Sequence, residues 1–165
     1  MEILVLGVGQ SMRGDDGAGL AAVQYWLSAY PDTIASGKVR VELAELPGLS
    51  LLDLLEGCQA ALIVDAVRSG AAPGTLHLLE ESQLAAFLPE SGSAHAWGIA
   101  ETLALGRRLQ PERLPHTLLL LGIEAGPLEL GTGLSPEVVD ALPTAAQKIQ
   151  EFASQSMPLR PPLIP

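Results

Sequence analysis

Cysteine is nearly absent: Cys58 stands alone among 165 residues, which excludes an internal disulfide framework and any zinc or iron–sulfur site built from several thiolates. A metal site in this chain has to be made from oxygen and imidazole. Cationic side chains are also scarce. The 9 Lys and Arg face 19 Asp and Glu, a formal charge of −10, and a surface of that sign repels phosphate backbones and anionic lipid headgroups. Neither nucleic acid nor membrane is expected as a partner. No apolar run approaches the roughly 20 residues that span a bilayer, and the first residues enter a strand pattern with no basic leader, so a cytoplasmic location is expected. Also missing are a G-x-G-x-x-G fingerprint, the lysine of a phosphate loop and a G-x-S-x-G elbow. Ser93, His95 and Asp65 hold the residue types of a triad, but two of them lie on one short loop, which disfavours that chemistry.

What is present alternates between strand and helix patterns. Strands are expected near 2–8, 38–44 and 60–65, with a helix near 16–29 and a short one near 48–56. This is the order of a βαβ build, so the fold class is α/β: one domain with a twisted, mostly parallel sheet of about five strands and helices on both faces. Pro73-Gly74 marks a turn, after which 75–79 pairs as a neighbouring or edge strand. A short helix is expected over 82–88, a loop over 91–95 and a helix from Gly98 to Leu109, with Ile99, Leu103 and Leu105 or Leu109 facing inward. Thr117 to Ile123 is the most apolar strand and is expected at the centre. Ser135-Pro136-Glu137 opens the last helix as N-cap, first-turn proline and first-turn acid, and Pro143 is expected to break or kink it. The domain is expected to run over 1–155. Four prolines in 156–165 give a loose tail.

The densest chemistry lies in Ile3 to Gly19, where a strand covered on both faces breaks into a glycine-rich turn carrying Asp15 and Asp16. Helix residues Leu20, Val23, Leu27 and Tyr30 follow on one stripe. The two acids thus sit beyond the carboxyl end of a strand, where open α/β sheets form their ligand crevice. Asp65 ends the run Ala60 to Val64, and His95 lies in the loop before a helix. If the first and third strands are neighbours, Asp16 and Asp65 emerge on one rim, with His95 in reach from above. Two carboxylates and one imidazole suit nickel, zinc or manganese, and three ligands leave positions open for water or substrate. Plainer readings stand beside this one. Asp15 or Asp16 can cap the helix, Asp65 can bond its own turn, His95 can be a solvated loop residue, and Arg13 can form a surface pair with Asp15 or steer an acidic group. Cys58 reads as a small core hydrophobe; His77 and His116 read as structural or exposed.

These residues resemble those of the maturation endopeptidases of nickel–iron hydrogenases. The likeness rests on Gly7-Val8-Gly9, then Asp15-Asp16-Gly17-Ala18-Gly19, Asp65-Ala66, Ser93-Ala94-His95 with Gly98, Gly122-Ile123-Glu124 and Leu134-Ser135-Pro136-Glu137-Val138. Gln10 stands where many members have asparagine. The resemblance implies a peptidase, aspartate-dependent or metal-assisted, that removes a C-terminal extension from the hydrogenase large-subunit precursor after nickel insertion. It implies Asp16, Asp65 and His95 as both catalytic and metal-binding residues. The nickel would come with the precursor, zinc or cadmium could replace it in crystals, and a monomer is expected. The competing reading is a non-catalytic, nickel-dependent assembly chaperone. A third is a small-molecule hydrolase or nucleotide enzyme on the same scaffold.

Overall fold

The computed structural model describes residues 2–87, 98–126 and 133–155. Its elements are β1 (Ile3–Gly9), a 3-10 turn (Gly14–Gly17), α1 (Ala18–Ala29), α2 (Pro31–Ala35), β2 (Val39–Glu45), α3 (Leu51–Leu55), β3 (Ala60–Val67), β4 (Leu76–Glu80), α4 (Leu84–Phe87), α5 (Ile99–Leu109), β5 (Thr117–Glu124) and α6 (Pro136–Gln155). Five strands form one sheet in the order β2-β1-β3-β5-β4. The first four are parallel, and β4 runs antiparallel on the outer side of β5. The expected α/β class, the mostly parallel sheet and the neighbouring first and third strands are all present. The strand after Pro73-Gly74 is an edge strand.

Alternation along the strands divides the core. Val5, Leu62, Val64 and Leu121 pack under α1 and α6, with Val23, Trp26, Val138 and Ile149. Leu4, Leu6, Ile63 and Leu120 pack under α3, α4 and α5, with Leu51, Leu55, Leu84 and Leu103. β1 is buried along its whole length, as its unbroken apolar run requires of a strand covered on both sides. The stripe Leu20, Val23, Leu27 is inward, but the largest side chain α1 buries is Trp26, whose Nε1–H donates to Gln150 Oε1 of α6 at 3.0 Å.

Four expectations need correction. β3 holds the middle of the sheet; β5 is an inner strand, with β4 between it and solvent. Of the alternatives Leu105 and Leu109 on α5, Leu109 points outward and Leu105 is half-buried; the position that lies fully inward is Gly106, against Leu52 and Leu114, where a side chain would collide. α6 passes Pro143 as one helix. Pro143 is exposed there, and the hydrogen bond it cannot give would have gone to the carbonyl of Val139, itself on the solvent side, so water replaces it at little cost. The helix expected from residue 16 begins at Ala18, after a 3-10 turn. The 156–165 tail and the 91–95 loop lie outside the described residues. Among the described residues, no helix is long and apolar enough to cross a membrane.

Candidate active site at the strand ends

Glycines bring the site together. A Cβ on Gly19 would stand 2.2 Å from the carbonyl oxygen of Val64 and 2.4 Å from that of Val8. The start of α1 therefore rests directly on the ends of β1 and β3, an approach open only to glycine. Gly9 does the same for the turn, since a Cβ there would lie 2.2 Å from the Asp16 carbonyl oxygen. That carbonyl accepts the Gln10 N–H at 3.1 Å, the Asp16 N–H donates to Arg13 O at 3.1 Å, and the Arg13 N–H donates to Gln10 O at 3.2 Å. The turn carrying Asp16 is thus closed by its own backbone and set against the residue preceding Asp65.

Asp65 continues the alternation of β3 on the α3–α5 face, in register with Gly122 of β5. The Ala66 N–H donates to Asp65 Oδ1 at 2.8 Å, the local bond expected of an aspartate at a strand end. Burial, and then the negative charge of Asp16, push the Asp65 carboxyl up to about 8, against the small opposing pull of the Ala66 N–H. Two of the candidate residues therefore meet and act on each other's charge. His95 lies outside the described residues. The segments that flank it are Phe87, whose ring is centred 4.7 Å from that of His77, and Ile99, packed on the core of the Asp65 face. Among the described residues no three His, Cys, Asp or Glu side chains stand close enough to hold an ion.

Asp15 differs from what its sequence context suggests. It caps no helix and forms no surface pair with Arg13. It is fully buried, accepting the Gly126 N–H on Oδ2 at 2.8 Å, the Ser135 N–H on Oδ1 at 2.6 Å and the Ser135 hydroxyl on Oδ2 at 2.7 Å. Ser135 thus spends its N–H and hydroxyl proton on Asp15, a partner 120 residues distant. The reason is burial: a carboxylate removed from water requires donors, and the strand and helix ends around it supply them.

A second buried acid, Glu124, closes β5. Ser69 and Gly70 donate backbone N–H groups to Oε1 at 2.8 and 3.1 Å, and the Ser69 hydroxyl donates to Oε2 at 2.7 Å. His77 Nε2 lies 3.1 Å from Oε2. Burial works to raise this carboxyl, but the Ser69, His77 and Gly70 donors outweigh it and hold Glu124 below the ordinary carboxylate range. His77 is structural, His116 is exposed, and the Cys58 thiol is buried and donates to Leu55 O, as expected of each. The sequence signalled Glu124 only as a strand end; its partners arrive from a turn that no local pattern links to it.

Beside the 3-10 turn, on the α1 face, opens a groove of about 430 Å³. Leu20, Ala21, Leu43 and Leu134 form its apolar walls, and Ser11 and Glu45 lie at its polar end. The arrangement thus offers two acids whose charges act on each other at the sheet rim and, on the α1 face beside the turn that carries Asp16, a groove with apolar walls.

A family model described as hydrogenase maturation protease matches residues 43–152. The chain is 31% identical over 162 residues to the hydrogenase expression/formation protein HupD of Thiocapsa roseopersicina, covering 93% of this chain and 68% of that one. It is 30% identical to the hydrogenase 2 maturation protease of Escherichia coli K12, covering 90% and 88% of the two chains. Its structure is similar to the hydrogenase maturating endopeptidase HybD from E. coli, with a TM-score of 0.79, 26% identity and 94% of each chain covered.

Proposed function

The chain belongs to the hydrogenase maturation protease family, and from that membership we propose that it is an endopeptidase removing the C-terminal extension of a nickel–iron hydrogenase large-subunit precursor once nickel is in place. The observation that carries this reading is the meeting of Asp16 and Asp65 at the strand ends. A carboxyl raised to about 8 by burial and by a neighbouring acid marks a place where a second negative charge is disfavoured beside the first, and a divalent cation favours ionisation of such a pair. The donor set therefore fits an ion. The nickel is part of the substrate, and Asp16, Asp65 and His95 would hold it. When bound, such an ion polarises a carbonyl or acidifies a water.

The chain's own groups do the rest. Asp16 is fixed by a turn that closes on itself, so its carboxylate is presented without reorganisation. Asp65 keeps Oδ1 on the Ala66 N–H and leaves Oδ2 to hold or accept a proton as general base. Near neutral pH it carries that proton by default; a nearby cation favours its ionised form, so the base is formed only beside loaded substrate. Cleavage would then wait for nickel. The apolar groove beside the turn is where the peptide to be removed would lie.

Incubation with nickel-loaded and nickel-free precursor, read by mass spectrometry, tests this. Loss of a C-terminal peptide from the loaded form alone is expected, and Asp16→Asn and His95→Ala should each abolish it with the fold intact. Binding without a change in mass would mean a chaperone that checks loading and does not cut.

A further inference from the structure

The 3-10 turn has no need of the Asp15 carboxylate for its own closure, because Gln10, Arg13 and Asp16 close it through backbone bonds. What Asp15 adds is a tie to remote parts of the chain. Its Oδ2 receives Gly126, just beyond β5, and both its oxygens receive Ser135, just before α6. β5 is also the strand against which Asp65 is indexed, through the Asp65–Gly122 register. Both acids of the site are therefore referred to one strand: Asp65 by the sheet ladder, and Asp16 by the buried carboxylate of the residue before it. The fit is tight, since a Cβ on Gly126 would come within 3.1 Å of Asp15 Oδ2.

We infer that Asp15 is a positioning residue that sets the distance and aim of the Asp16 carboxylate relative to Asp65, and so the affinity of the pair for a divalent cation. It touches neither ion nor peptide. Groups that orient metal ligands in this way typically change affinity about 10–100-fold when lost. The proposal rests on the reading of Asp16 and Asp65 as ligands.

The test is titration of Ni²⁺ alone into the intact protein by calorimetry, with circular dichroism reporting the fold. Asp15→Asn keeps the volume but turns an N–H₂ group towards the Gly126 and Ser135 donors; it should weaken Ni²⁺ binding about tenfold or more. Gly126→Ala, which crowds Asp15 without altering charge, and Ser135→Ala, which removes one of three donors, should weaken it less. Ser135→Thr, keeping hydroxyl and N–H, should restore it. With loaded precursor, whose nickel the pair would grip, the same variants should raise KM in the order of their Ni²⁺ losses. Should Asp15→Asn not fold, Gly126→Ala and Ser135→Ala decide by the same measure. Wild-type Ni²⁺ affinity in the folded Asp15 variant, or in both others, overturns the proposal. Asp16→Asn separates the two levels: if it too binds Ni²⁺ as the wild type does, the ligand reading fails and carries this inference down; if it loses Ni²⁺ while Asp15→Asn keeps it, only the positioning role is wrong.

Discussion

Two kinds of acid stand at the sheet rim: Asp15 and Glu124, which are buried, and Asp65, which is half-buried. Glu124 and Asp15 are surrounded by donors: four contacts to the first from Ser69, Gly70 and His77, three to the second from Gly126 and Ser135. Asp65 receives, among the described residues, one N–H, and faces another acid. The donors depress Glu124, while burial and Asp16 raise Asp65. Exposure does not explain the difference, because the acid with less exposed surface, Glu124, is the one held low; the donor count separates them, and the acid left poor in donors is the candidate for chemistry.

The largest expected effect breaks this comparison at Asp65. Asp65→Asn keeps an acceptor for the Ala66 N–H and removes the negative charge facing Asp16. Cleavage of loaded precursor should fall by about 10²–10⁴ if Asp65 is the base, while thermal stability of the free protein should rise. The sign follows from linkage. The folded carboxyl titrates near 8 and an unperturbed one at 3.8, so between those values the folded state alone holds the proton. Stability is lost as pH rises through that window and levels off above about 8. The gain from Asp65→Asn should accordingly be greatest in alkaline buffer, as a melting series at several pH values would show. A variant that loses activity and stability together would place Asp65 with the structural acids.

Glu124→Gln should behave oppositely. It retains one acceptor but turns an N–H₂ group onto donors, so a loss of about 1–3 kcal/mol is expected in denaturant unfolding. Cleavage of loaded precursor by the folded variant should be retained. Because the folded carboxyl lies below its unfolded value, its stabilisation is complete above the unfolded range near 4.3 and disappears as pH falls through the folded value. Removing the carboxylate should flatten that acid limb.

Much of this was legible in the sequence, and what was not has a common cause. The βαβ order, the two-sided burial of β1 and the placing of Asp16 and Asp65 on one rim follow from local pattern plus the topology of parallel sheets. The close approach at Gly9 and Gly19 is written as glycine spacing. The context of Asp15 is that of a capping acid, whereas its donors come from 111 and 120 residues away, and no periodicity encodes a partner at that distance. Proline's chemistry predicts a break or kink at Pro143, and what the local pattern does not carry is that Pro143 and Val139, whose carbonyl loses its donor, both lie on the exposed side of α6.

The smallest expected effect sharpens the comparison from the solvent side. Glu45 also titrates below its ordinary value, through the Ser11 hydroxyl and N–H, both donating to Oε1. By direction alone it resembles Glu124. It differs in being exposed, so that water replaces Ser11 when that bond is lost and the charge is screened in either state. Glu45→Gln should therefore leave both the unfolding midpoint and the acid limb unchanged within error, in the same titration that separates Glu124→Gln from wild type. An acid limb flattened equally by the two substitutions would show that donor count acts without burial, and the division drawn between the acids would have to be made on hydrogen bonding alone.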